Sequence, residues 1–256
     1  MRDILTIASC MLNKLFHGWL LALLLLGCLV QAVFLFQSGP EELLVILRES
    51  QQWSLAVAFY STVLLIVVAG SIELPREVQT GTVLFILAKP VTRYHIVLGK
   101  ISGLFFVGAA VIILQALFAV VILWIRGLPP SFAMLGQLLF ILGRIGMLAA
   151  AVVLFSTAMP ELSTIMFSSM YFAFAMNMDL VDQFLLFSPL PPLPTLALRA
   201  LYFLVPNFAH LQLAVATSAN PAPIFIHSCF AFSYALCYAA LLAWLAIWQF
   251  SNREFA

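Results

Sequence analysis

The sequence predicts an all-α polytopic membrane protein. It has six transmembrane helices, an N-terminal interfacial helix, and a long outer loop of short re-entrant helices between spans five and six. Three observations carry this. Of 256 residues, 64% are hydrophobic and only 8% are charged, against roughly 25% charged in an ordinary soluble domain. Apolar runs near the roughly 20 residues needed to cross a bilayer recur along the chain and make up just over half of it. These runs are continuously apolar rather than alternating, which suits helices satisfying their own backbone groups and not barrel strands. The same composition argues against a soluble enzyme, a nucleic-acid binder and a disordered chain. A net charge of +1 gives no field for steering acidic ligands, and no nucleic-acid partner is expected. The 23 Phe residues suit contact with membrane lipid.

Taken in order, residues 1–14 place Ile4, Ile7, Ala8, Met11 and Leu12 on one stripe and Arg2, Asp3, Thr6, Ser9 and Asn13 on the other. That pattern predicts an amphipathic helix lying in the membrane interface. Five strong spans follow at 15–36, 53–72, 101–125, 132–155 and 224–250, with a weaker one at 162–178. The run Leu25-Leu26-Gly27-Cys28 loosely resembles a lipoprotein cleavage site, but the further spans that follow make the first one an uncleaved membrane helix. Tight turns are expected at 126–131, with Gly127, Pro129 and Pro130, and at 156–161. The outer loop, 179–223, carries seven prolines from Pro189 to Pro223. Its apolar stretch 197–205 is too short to cross, which reads as a re-entrant or interfacial element. No internal repeat or linker divides the chain, so 1–256 is one transmembrane domain.

Orientation follows from the cations. With the N-terminus inside and six spans, seven Lys and Arg fall inside: Arg2, Lys14, Arg76, Lys89, Arg93, Lys100 and Arg253. Three fall outside: Arg48, Arg126 and Arg199. The excess places both termini on the cytoplasmic side of the cell's inner membrane.

The densest charge lies in the inside segment 73–100, ELPREVQTGTVLFILAKPVTRYHIVLGK. Pro75, Arg76 and Glu77 read as a helix start, with the acid near the positive end of the dipole. Gly81 lacks a side chain and permits another backbone to approach. Val83 to Leu87 is apolar but too short to span, and Pro90, Arg93 and Lys100 precede the third span. A short helix with an acid, a glycine and exposed apolar residues is built to dock on a soluble partner. The bland alternative is a charged loop that anchors two helices at the interface.

This segment resembles the signature of type-two ABC transporter permeases: a Glu, then Gly-Thr, a leucine-rich turn, Pro-Val-Ser/Thr-Arg and Gly-Lys between the second and third spans. Glu77, Gly81, Thr82, Leu87, Pro90, Val91, Arg93, Gly99 and Lys100 match it. The look is nearest to permeases of copper-maturation and gliding-motility exporters, and the later string VPNFAHLQLA from Val205 is similar to a Pro-Asn segment of that group. Pro75, two residues before Glu77, departs from the pattern and would shorten or tilt the coupling helix. The resemblance implies a membrane-spanning permease subunit of an exporter, not itself an enzyme. It also implies a second permease copy, identical or different, and a separate cytoplasmic ATPase that binds ATP and Mg. In that family the helix around Glu77–Leu87 sits in a cleft of the ATPase, which makes Glu77, Gly81, Thr82, Leu87, Pro90, Arg93 and Lys100 the candidate coupling residues. The chain has no GxxxxGK[ST] phosphate loop; Gly99-Lys100 is followed by Ile101 and Ser102, so no nucleotide cofactor is expected on this chain.

Other residues carry weaker signals. Arg144 lies near the middle of the fourth span, where a charge costs about 2.5–3.5 kcal/mol on insertion scales. Two readings are open: it faces the dimer cavity on a possible substrate path and meets an anionic substrate or lipid headgroup, or the span is shifted or bent so that it reaches an interface. Asp179 and Asp182 read as a polar helix end. The four His and four Cys residues show no ligand spacing, so no metal site and no catalytic residue is expected. Met159, Met166, Met170, Met176 and Met178 crowd the fifth span and read as adaptable packing. The alternative to a transport subunit is a non-transporting scaffold or an intramembrane enzyme. An enzyme would want polar residues clustered at one depth, whereas Gln115, Arg144 and Asn177 fall on three helices. An ion-coupled transporter would want acids within the spans, and Glu161 lies only at an edge.

Overall fold

The computed structural model describes residue 6, 19–37, 43–80, 92–127, 132–180, 183, 196, 199, 205–211 and 221–252. Six helices of sixteen residues or more run through these residues: α1 (Trp19–Gln37), α2 (Leu43–Gln79), α3 (Arg93–Ile125), α4 (Phe132–Ala158), α5 (Glu161–Met176) and α6 (Pro221–Ser251). A short 3₁₀ helix, Phe208–Leu211, precedes α6. No strand occurs among the described residues.

Among the described residues, four helical stretches are long and apolar enough to cross a membrane: Gln51–Gln79, Arg93–Ile125, Gly136–Ala158 and Cys229–Ser251. α1 has 19 residues and no charge, and within it Leu24–Val33 forms a shorter apolar stretch. α5 has 16 residues, which at 1.5 Å per residue is about 24 Å, less than the roughly 30 Å hydrocarbon core. The weaker sixth span is thus a short helix. The interfacial helix expected at 1–14 and most of the outer loop lie outside the described residues.

α4 is the hub, packed against α2, α3, α5, α6 and the 3₁₀ helix. Its sequence explains this. Ile145, Met147 and the run Leu148 to Val153 are all buried, and a helical stretch apolar all round belongs inside a bundle. Ala149, Ala150 and Ala151 keep it thin enough for neighbours on every side. At the junction of α2, α3 and α4, Gly108 replaces a side chain: a Cβ there would lie 2.8 Å from Ile66 and 3.0 Å from Ile145. The outward surface is apolar as well, with Leu25 and Leu29 on α1, Leu117 and Trp124 on α3, and Phe230, Trp244 and Trp248 on α6 all exposed. A soluble protein would not tolerate so much exposed apolar surface; lipid-facing helices require it.

α2 and α3 differ most from the sequence expectation. The span read at 53–72 belongs to a 37-residue helix. At about 55 Å it outruns the hydrocarbon core. Pro75 does not start a helix: α2 continues through it to Gln79. The proline forgoes one backbone bond, but it is buried and held by packing. α2 ends at Thr80, whose N–H and hydroxyl both donate to the Arg76 carbonyl at 2.9 Å. Arg76 in this last turn suits the negative helix end. α3 has 33 residues and closes where Gly127 adopts φ +72°. The Arg126 N–H reaches Ile122 O, and the Gly127 N–H reaches Trp124 O. Glycine enters this left-handed conformation without the penalty a Cβ would bring.

Candidate functional site

Of the predicted coupling residues, Glu77, Arg93 and Lys100 are described, and they fall at one end of the bundle. Glu77 is in the last turns of α2, and Lys100 lies two turns into α3. The Lys100 ammonium donates to Glu77 Oε1 at 2.7 Å and to Glu73 Oε2 at 3.3 Å. Both Lys100 and Glu77 are buried. Glu73 and Glu77 stand four residues apart on one helix face, which lets a single ammonium bridge them and tie the end of α2 to the start of α3. Arg93, at the start of α3, donates to the Ser251 carbonyl at 2.7 Å, fastening α3 to the end of α6. Close by, the Thr157 hydroxyl of α4 donates to Gln249 Oε1 of α6 at 3.2 Å. Gly81, Thr82, Leu87 and Pro90 lie outside the described residues. Sequence reasoning missed Glu73, although its i, i+4 spacing to Glu77 was a readable signal.

The opposite end of the bundle holds a cavity of about 370 Å³. α2 supplies Gln52, Leu55, Ala56, Phe59 and Tyr60; α4 supplies Gln137, Phe140, Ile141 and Arg144; Met176 and Leu211 complete the lining. Arg144 is buried. Its Nη2 donates to the Leu211 carbonyl at 2.8 Å, and its guanidinium carbon lies 5.5 Å from the centroid of the Phe59 ring, close enough for a cation–π contact. Arg144 lines this pocket between helices of one chain.

The string from Val205 is what brings Leu211 there. Asn207 donates from its side chain to Asp179 Oδ1 at 2.9 Å and from its backbone N–H to the Tyr234 hydroxyl at 3.0 Å. The first bond joins it to the residue just past α5, the second to α6. Phe208 is fully buried, its ring centroid 6.2 Å from that of Phe172. Asp179, read as a polar helix end, is therefore one of the groups that fix the 3₁₀ helix over the cavity. Asp182 lies outside the described residues.

Two further polar pairs within the bundle join neighbouring helices. Gln115 on α3 accepts from the Ser61 hydroxyl on α2 at 2.9 Å, and Gln31 on α1 donates to the Ser54 carbonyl at 2.9 Å. They tie helices together where apolar packing gives no directional preference. Met166 and Met170 point outward, Met176 lines the cavity and Met178 is buried; the methionines do not converge on one point.

Over residues 13–255 the sequence matches the family model described as ABC-2 family transporter protein. The chain belongs to the ABC-2 transporter family. It is a multi-pass permease of the membrane, as the ordered string from Glu77 to Lys100 led us to expect. No curated protein matches the chain. In this permease the Lys100 junction and the Arg144 cavity lie at opposite ends of α2.

Proposed function

We propose that this chain is the membrane-spanning permease subunit of an ATP-binding cassette exporter, paired with a second permease copy and driven by a separate cytoplasmic ATPase. The observation that carries the reading is the family match over nearly the whole chain, joined to the Lys100 junction. ATP and Mg would be held by the ATPase. The segment 81–91 leaves α2 four residues after Glu77, and Lys100 clamps both helices that flank it. A segment held at both ends by buried ion pairs transmits a push to the helices instead of absorbing it. On this reading Glu77 and Lys100 act behind the docking surface, and Gly81, Thr82, Leu87 and Pro90 form it. The orientation has both termini in the cytoplasm, six crossings, and the outer loop 179–223 on the far side, supported by the seven-to-three distribution of cations. Arg144 then lies on the substrate path from the outer side.

The test is purification of the chain in native lipid. The expected result is a soluble ATPase retained with the permease and ATP hydrolysis stimulated by the permease. A chain that carries no ATPase, and stimulates none encoded alongside it, would sink the reading.

A further inference from the structure

Arg144 is a cation inside a membrane bundle, and among the described residues no carboxylate pairs with it. One Nη2 bond goes to a backbone carbonyl. Its Nε is buried and has no hydrogen-bond partner among the described residues, though the residue is 7% exposed. Guanidinium stays charged under all ordinary conditions, so this is a buried positive charge offset by one carbonyl dipole and one aromatic face. Structural arginines at such depth are ordinarily paired. Here a cavity of about 370 Å³ lies where the counter-charge would sit.

The lining has two characters. Gln52 and Gln137 supply amide groups beside Arg144, while Leu55, Phe140, Ile141 and Met176 are apolar. Gln52 and Tyr60 are exposed, so the cavity opens at the α2 surface. A small hydrated inorganic ion would leave the apolar walls unused. A neutral apolar molecule would leave the Arg144 charge unmet.

We propose that this cavity binds the anionic head of an amphiphile: a phosphate or carboxylate group against the guanidinium of Arg144, with the attached apolar part along Phe140 and Met176. The amide N–H groups can donate to ester oxygens near the charge, and the amide carbonyls can accept from hydroxyls there. The 3₁₀ helix completes the site, because Leu211 both orients Arg144 through its carbonyl and closes one wall. The inference names the ligand class for the substrate-path cavity and rests on that reading only for its biological use; binding itself requires no ATPase. The same anion chemistry has two sources, a membrane phospholipid entering sideways and a soluble phosphate or carboxylate entering from the aqueous side.

The experiment uses the full-length chain, delipidated in mild detergent and examined by native mass spectrometry. It is titrated separately with phosphatidylglycerol, phosphatidylcholine, inorganic phosphate and benzoate. Arg144→Gln removes the charge, Arg144→Lys keeps it, and Ala56→Trp fills the cavity while leaving Arg144 in place. The expected result is binding of at least one anionic probe, reduced about tenfold or more by Arg144→Gln and by Ala56→Trp, and largely restored by Arg144→Lys. Preference for phosphatidylglycerol over phosphatidylcholine, uncompeted by phosphate or benzoate, assigns the lipid source. Binding of benzoate without lipid preference assigns the soluble source, whereas binding of inorganic phosphate alone overturns the amphiphile reading. Equal binding of every anion by wild type, Arg144→Gln and Ala56→Trp, or no anion bound by the wild type, overturns the proposal. ATPase association measured on the same preparations separates that outcome from failure of the permease reading.

Discussion

Lys100 and Arg144 are both buried cations on neighbouring helices, 5% and 7% exposed, yet they are handled differently. Lys100 meets two carboxylates, at 2.7 and 3.3 Å, at the C-terminal end of α2. Arg144 meets a carbonyl and a phenyl ring beside a cavity. The difference separates a joint from a receptacle. A cation whose charge is met within the protein fixes two helices together and leaves nothing for a ligand. A cation met only in part keeps attraction to spare. The Lys100 end is therefore suited to carrying force between α2 and α3, and the Arg144 end to holding a charged guest.

The comparison is most strongly tested at Lys100. Replacing it with Met leaves Glu73 and Glu77 close together without their bridging ammonium, and removing one partner from a buried pair typically costs about 3–5 kcal/mol. The half-buried Glu73 keeps some access to water, so a loss of about 3 kcal/mol is expected, read as a large fall in thermal midpoint in detergent. Glu77→Lys should fall similarly, because it sets two ammonium groups side by side. The double variant Glu77→Lys with Lys100→Glu should recover much of the loss. A Lys100→Met chain as stable as the wild type would break the comparison, since the junction would then not be a joint.

A smaller effect is expected at the other end. Arg144→Met removes an incompletely compensated charge and also strands the Leu211 carbonyl. The two changes oppose one another, so the net stability change should stay within about 1 kcal/mol. A thermal midpoint close to that of the wild type, against the fall produced by Lys100→Met, sharpens the contrast. A collapse equal to that of Lys100→Met would make Arg144 a structural pin and remove its distinction from Lys100.

What was legible in the sequence was mostly what hydropathy writes in continuous runs. The cores of α2, α3, α4 and α6 coincide with the apolar stretches because burial and lipid contact both demand apolar residues. The ends of α2 did not show. Gln51 falls before the expected span, but it is buried in the helix, near Ser54, the backbone acceptor for Gln31. Pro75 reads as a start because proline is favoured in a first turn, and only packing against neighbouring helices reveals that it is interior. At the Lys100 junction the family string was readable, whereas the partnership was not: Lys100 and Glu73 are 27 residues apart, and no local period links them. Arg144 was conspicuous as a charge within a span. Its partner was invisible, because a backbone carbonyl has the same chemistry at every residue. The Asn207 contacts to Asp179 and Tyr234 were equally hidden, since they depend on where a proline-rich loop returns.

The central claim is that the segment following α2 passes the action of an ATPase to helices locked at Lys100. Gly81→Trp tests it most directly, with the chain reconstituted in native-lipid nanodiscs beside its ATPase. Retention of the ATPase, ATP turnover and thermal midpoint would be measured on one preparation. The account predicts an unchanged thermal midpoint, because Gly81 lies beyond the Lys100 junction. It also predicts ATPase retention lowered roughly tenfold or more, with stimulated turnover lost. Wild-type retention and turnover in a correctly inserted Gly81→Trp chain would contradict it.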